Sequence, residues 1–360
     1  MIENVITHLE QVTNEWLTSV LRRSGVLTQG AVVGFEADSG RGNWSTSGSL
    51  DLHYSPDAEG ERPSRLFLKM VNADTGDGEF FGSSEVDYYL RDYVDVPDAP
   101  LLRCYDGRYA PAIHRYHLLL EDVSDTHTTA CDKPPTLEYG LALAEAFAIL
   151  HSRWWGAARL VEAGAPLHDA AHIRRWVAVG EPGAAHIIGQ LDHELAPHWP
   201  AAIRDVFARH PQAMIRRSQD ANGFTLFHGD AGCYNTMVPR EGIRPIYLID
   251  RQPFDWSLTT WLGVYDLAYA VALAWDVESR RQWEQPILRH YLETLKQRGV
   301  QGYGWAQLWD DYRLCLAMGV YIAVEYCRGR YHPETQWVWL PMLQKALTAC
   351  DDLNCAELWR

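Results

Sequence analysis

Long apolar runs are missing from this chain of 360 residues. No stretch of about 18 consecutive apolar residues occurs, which excludes a membrane-spanning helix. The opening "MIENVITHLEQVTNEWLTSVL" lacks a basic segment followed by an apolar core, so it reads as an amphipathic helix and not as a signal peptide; the expected location is the cytoplasm. Positive charge is also scarce. The formal net charge is -15, which argues against binding to nucleic acid or to an anionic membrane. Paired cysteines are absent as well: Cys104, Cys131, Cys233, Cys315, Cys327, Cys350 and Cys355 are odd in number and form no C-x-x-C. Neither a zinc site nor a disulfide framework follows, and the expectation is reduced, mostly buried thiols. No repeat and no low-complexity linker interrupts the chain.

What is present is enough apolar material for a large core, at 47% of the residues, with 15 Trp and 18 Tyr. The length suits two domains at roughly 150 residues each. From about Ala31 to Met70 the runs "AVVGFEADSG", "GSLDLHYS" and "SRLFLKMV" are short, apolar or alternating, and bounded by turn-forming residues. "GSSEVDYYLRDYV" has helical spacing, with Val86, Tyr89, Leu90 and Tyr93 on one side. "YAPAIHRYHLLLEDVSD" reads as two further strands. After "TTACDKPPT" the character changes. Thr136 to Trp155 is an amphipathic helix, "GVYDLAYAVALAW" is apolar all round and reads as a buried helix, and the helix in "SRRQWEQPILRHYLETLKQRG" closes on Gly299. The fold class is α+β: a small β-rich N-terminal lobe over residues 1–123 and a larger, mainly helical C-terminal lobe over 124–360.

The chemistry concentrates in "LFHGDAGCYNTMV", Leu226 to Val238. His228-Gly229-Asp230 alone is ordinary turn chemistry. Asn235 five positions after Asp230 strengthens it, and so does "IYLID", a strand ending on Asp250. One carboxylate to accept the proton of an attacking hydroxyl, with an Asn oxygen and a second carboxylate as hard ligands for Mg²⁺, is what phosphoryl transfer needs.

This order resembles the kinase catalytic loop H-x-D-x-x-x-x-N followed by a metal-binding Asp. With His-Gly-Asp and "DLAY" after it, the chain resembles the aminoglycoside phosphotransferase and choline kinase-like families, including ecdysteroid kinase-like members, over nearly its whole length. The resemblance implies a bilobal, protein-kinase-like fold and an ATP- or GTP-dependent kinase of small molecules that uses Mg²⁺. It implies Asp230 as catalytic base, and Asn235 and Asp250 as metal ligands. It implies Lys69 in "RLFLKM" on the phosphates, held by Glu85 (with Glu79 as the rival), and a phosphate-covering loop with Ser39, Gly40, Gly42, Ser45 and Thr46. Glu121 and Val123 would meet the nucleobase through backbone groups. Asp266 of "DLAY" would brace the catalytic loop, and His228 would be structural. Arg251 stands after Asp250 where protein kinases carry Phe, which speaks against conformational switching of their kind. The expected partners are a nucleoside triphosphate and a small hydroxylated acceptor, such as an aminoglycoside, a choline-like alcohol, a sugar or another natural product. The rival readings are a nucleotide-binding pseudokinase that regulates a partner, and a protein kinase.

Overall fold

The computed structural model describes residues 5–41, 45–72, 80–165, 167–191, 194–254 and 257–360. The chain divides into two compact units, one of Met1–Pro97, Leu101–Thr128 and Val238–Trp256, the other of Asp98–Pro100, Thr129–Met237 and Ser257–Arg360.

Alternating side chains explain the first unit. Its main sheet contains β1 (Val32–Arg41), β2 (Ser45–Tyr54), β3 (Arg65–Val71), β4 (Cys104–Ala110) and β5 (Arg115–Glu121). They pair antiparallel in the order β1-β2-β3-β5-β4. Leu66, Leu68 and Met70 alternate along β3 and are fully buried with Leu50 of β2 against Leu17, Val20 and Leu21 of the Asn14–Arg23 helix. Thr13 caps that helix, its hydroxyl accepting the Trp16 amide at 3.1 Å. Because side chains on a strand alternate between faces, Lys69 points away from this core.

The "GSSEVDYYLRDYV" helix differs from its expected phase. Only Ser84–Asp87 is α-helical, and Tyr88–Asp92 is a π turn. Val86, Tyr89 and Tyr93 are buried as expected, whereas Leu90 is 42% exposed. The wider turn rotates less per residue than an α-helix, so Leu90 leaves the buried stripe while Tyr93 stays on it.

In the second unit, the expected helix from Thr136 spans Leu137–Arg153, with Thr136 as its cap. The "GVYDLAYAVALAW" segment is helical and buried nearly all round. The helix Val277–Gln297 is terminated by Gly299 at φ +92°, and the Gly299 and Val300 amides close on the carbonyls of Lys296 and Leu295.

The expectation of reduced thiols is overturned for one pair. Cys131 and Cys233 form a disulfide with their Cα atoms 4.9 Å apart, although 102 positions separate them in sequence. Cys104, Cys315, Cys327, Cys350 and Cys355 are free. The fold, and no local spacing, makes this bond: it brings the turn Ala130–Asp132 against the turn Cys233–Asn235.

His210 gives this unit a pH dependence. Its ring is fully buried, Nε2 donating to the Leu314 carbonyl at 2.9 Å and Nδ1 meeting the Tyr321 hydroxyl at 2.9 Å. Burial holds it down at about 4. The unfolded chain takes up this proton near pH 6.5 and the folded chain refuses it until about 4, so stability falls as the pH drops through that window. The full effect is about 3 kcal/mol. His168, also lowered to about 4 by burial, adds in the same direction. Urea unfolding across the window should show this slope, and His210→Gln should flatten it; an unchanged slope would assign the effect elsewhere.

Candidate active site

In the first unit, β3 carries Lys69 to a buried position, 8% exposed. Its Nζ lies 2.8 Å from both carboxylate oxygens of Glu85 and also contacts the Asp250 carboxylate. Glu85, 1% exposed, additionally accepts a hydrogen bond from the Tyr116 hydroxyl on β5. Asp250 adopts a left-handed backbone, φ +62°, a conformation that Asp tolerates better than most residues. Its side chain is 45% exposed.

The electrostatics pull the partners in opposite senses. Burial alone would lower the Lys69 ammonium, but the Asp250 and Glu85 carboxylates outweigh it and hold Lys69 above its usual range. Burial pushes Glu85 up to about 7, against the pull of Lys69. The two short contacts from Nζ and the Tyr116 hydroxyl favour the ion pair, so the charged arrangement is the one the geometry supports.

Arg251 fixes the Asp250 segment. It is 3% exposed and donates to Asp92, itself fully buried, at 2.9 Å, with its guanidinium 5.6 Å from the Tyr88 ring centroid. The Ser84 hydroxyl donates to the Gln252 carbonyl, and the Gly82 amide to the Pro253 carbonyl at 2.8 Å. Asp250 and the Glu85 helix are thus joined by several bonds.

Of the remaining candidates of this unit, Ser39, Gly40, Ser45, Thr46 and Glu121 lie on the same sheet. Ser39 and Gly40 end β1, and Ser45 and Thr46 begin β2, with Gly40 opposite Ser47. A Cβ at Gly40 would come within 2.8 Å of the Ser47 hydroxyl, so glycine permits this pairing. The Thr46 hydroxyl accepts from Asn72 at 2.9 Å. Gly42 and Glu79 lie outside the described residues. Glu121 ends β5 and gives its amide to the Arg103 carbonyl at 2.8 Å, while the Val123 carbonyl takes the Thr126 and His127 amides at 3.0 and 2.8 Å.

In the second unit, the strand Phe224–Leu226, paired with Thr260–Leu262, leads into the His-Gly-Asp corner. Gly229 has φ +84°, a backbone that glycine adopts without penalty. Asp266, fully buried, holds the corner: its Oδ2 accepts the His228 amide at 2.7 Å and its Oδ1 the Gly229 amide at 2.9 Å. His151 Nε2 bonds the same carboxylate at 3.0 Å. His228 is buried, and its Nδ1 receives the Asp230 amide at 3.3 Å. The Asp230 carboxylate takes two donors, the Tyr269 hydroxyl on Oδ1 at 2.8 Å and Asn235 Nδ2 on Oδ2 at 3.0 Å. With its nitrogen so engaged, the amide oxygen of Asn235 is the group left for a cation. Burial and the nearby Asp230 carboxylate push the Tyr326 hydroxyl up.

Sequence reasoning did not find Tyr116, Tyr269, His151 or Asp92. Tyr269 had a signal, since it follows Asp266 by three positions and therefore shares its helix face. Trp261 and Trp275 are 1% and 4% exposed and belong to the core. Asp266→Asn would turn one of its two acceptors into a donor facing a backbone N–H. The expected loss is about 1–3 kcal/mol in urea unfolding; a variant as stable as the parent would show that these amides find other partners.

No protein-family model matches the chain, and no curated protein matches it in sequence. Solved structures do match. A choline kinase from Cryptosporidium parvum Iowa II aligns with a TM-score of 0.58 at 9% identity, covering 96% of this chain and 97% of that one. An ethanolamine kinase from Plasmodium vivax aligns with 0.54 at 11%, covering 98% and 90%. A spectinomycin phosphotransferase in complex with ADP and spectinomycin aligns with 0.51 at 12%, covering 96% and 97%. At these identities the likeness concerns architecture, and the architecture of this chain is the small-molecule kinase fold.

Proposed function

We propose that the protein is a kinase of small molecules, moving the γ-phosphoryl group of ATP or GTP to a hydroxyl of its acceptor. The observation that carries this reading is Lys69, a buried cation held at 2.8 Å by Glu85 and touching Asp250, on a sheet of the small-molecule kinase fold. A buried lysine held between two carboxylates has more positioning than a solvated surface lysine, which suits a role on phosphate oxygens. In the second unit, Asp230 is oriented from two sides and its corner is braced by a fully buried carboxylate.

The roles follow. Lys69 binds the α and β phosphates, and Ser39, Gly40, Gly42, Ser45 and Thr46 cover them. The nucleobase meets Val123 through the amide, its carbonyl being engaged, and Glu121 through the carbonyl, its amide being engaged. Asp230 orients the acceptor hydroxyl and accepts its proton. Asn235 and Asp250 would hold Mg²⁺, whose chemistry is to neutralise charge on the phosphates. Among the described residues no three His, Cys, Asp or Glu side chains gather as a metal cage. Mg²⁺ takes one or two protein carboxylates and completes its shell with phosphates and water. The acceptor is a hydroxylated small molecule, and the exposed Tyr326 near Asp230 supports an acceptor with an apolar or cationic face. The cytoplasm, where nucleoside triphosphates are abundant, is its proposed place of action.

The test is transfer of labelled γ-phosphate from Mg-ATP and Mg-GTP to a panel of choline-like alcohols, aminoglycosides, sugars and hydroxylated natural products. Nucleotide binding is read in parallel by thermal shift. A protein that binds neither nucleotide with Mg²⁺ present would remove the reading.

A further inference from the structure

The Cys131–Cys233 disulfide falls within the loop assigned to the chemistry. Cys233 stands between Asp230 and Asn235, and it opens the short turn Cys233–Asn235, which has no buried residue. Tyr234 beside it is 66% exposed. Apolar packing therefore does little to hold this turn. Its start is held by Asp266 through the His228 and Gly229 amides, and its end by the Asn235 amide on the Gly232 carbonyl at 3.0 Å. Between those anchors, the bond to Cys131 is the covalent one.

The pairing is selective. Cys104 and Cys350, like Cys131 and Cys233, are half-buried, yet both are free, and Cys350 stays a thiol although it hydrogen-bonds to Cys355. The bonded pair is the one that includes Cys233, between Asp230 and Asn235, and it ties that loop to the Ala130–Asp132 turn. Cys131 and Cys233 are half-buried, and thiol–disulfide exchange requires access to one sulfur.

Resting on the kinase reading, we propose that the Cys131–Cys233 bond positions the Asp230–Asn235 loop, and that its reversible reduction by a dithiol lowers phosphoryl transfer. A thiolate of the dithiol attacks one sulfur, breaks the Cys131–Cys233 bond, expels the other cysteine as a thiolate and leaves a mixed disulfide on the first. The dithiol's second thiolate closes the reagent's own disulfide and releases that first cysteine. Two electrons and two protons pass to the protein, the dithiol is oxidised, and a disulfide oxidant reverses the exchange. In a reducing cytoplasm such a bond acts as a sensor and not as a permanent staple.

The experiment uses the full chain. Alkylation and peptide mapping without reductant should recover Cys131 and Cys233 as one cross-linked pair, with Cys104 and Cys350 alkylated. Dithiothreitol should abolish the cross-link and raise hydrogen exchange in Phe227–Val238 by roughly tenfold, with the cooperative thermal transition retained. Cys131→Ser should show the same raised exchange and no response to dithiothreitol. Phosphoryl transfer should fall roughly tenfold to a hundredfold on reduction, mainly in kcat, and return on reoxidation. Free Cys131 and Cys233 in the unreduced protein, loop exchange indifferent to reduction, transfer unaffected by reduction, or loss of the whole cooperative transition would each overturn the proposal. Loop exchange is read without substrate: a loop that loosens on reduction in a protein that phosphorylates nothing would sink the kinase reading and leave the positioning role standing.

Discussion

Asp230→Asn should lower phosphoryl transfer by about a thousandfold, the middle of the range for loss of a positioned general base. Shape is nearly conserved, so an effect of this size would report chemistry. The amide cannot accept the acceptor's proton, and it turns one of two accepting oxygens into a donor. That donor faces either the Tyr269 hydroxyl or Asn235 Nδ2, both of which donate to the carboxylate in the parent. The loop should therefore lose some order as well, and nucleotide binding by titration calorimetry separates the two effects. Unchanged nucleotide affinity with a collapsed kcat assigns Asp230 to the transfer step. Transfer within tenfold of the parent would remove Asp230 from that role.

Lys69→Met should cost about 3–5 kcal/mol of stability, the usual consequence of stripping one partner from a buried ion pair. Glu85, 1% exposed, would keep Tyr116 but lose both contacts to Nζ. Burial already lifts Glu85 to about 7, so without Lys69 it should take up a proton more readily still. A carboxyl whose folded pKa exceeds its unfolded value stabilises the protein where it is protonated and loses that contribution as the pH rises between the two values. The Lys69→Met deficit should accordingly shrink in acid. The double variant Lys69→Met/Glu85→Gln removes both charges together and should recover much of the stability. Nucleotide affinity should not recover, because no cation remains for the phosphates. Recovery of both in the double variant would make the pair purely structural.

Much of this was legible because it rests on local pattern. The apolar flanks of Lys69 in "RLFLKM" were enough to put it on a strand. Thr136 and Gly299 mark helix ends through backbone chemistry that acts over a few residues. Asp230 and Asn235 share a loop, and their contact needs only a turn. The illegible parts depend on long-range packing or on a change of helical pitch. Leu90 was misassigned because the helix widens at Tyr88–Asp92, which composition does not announce. Tyr116 reaches Glu85 from 31 positions away, and Cys131 reaches Cys233 from 102; neither spacing has a periodic signature. The odd cysteine count favoured free thiols, and it was five free thiols plus one bond.

The Arg251–Asp92 bond, with Ser84 on Gln252 and Gly82 on Pro253, has a consequence for ligand energetics. A receptor that visits its competent arrangement only part of the time binds with an affinity diluted by that fraction. Here the segment of Asp250 and the helix of Glu85 are joined in the native state, so the conformational entropy of aligning them is lost during folding and not on ligand arrival. On the proposed reading, apparent and intrinsic affinities for a nucleotide held by this unit should then coincide, and association should proceed in a single kinetic phase whose rate is linear in nucleotide concentration.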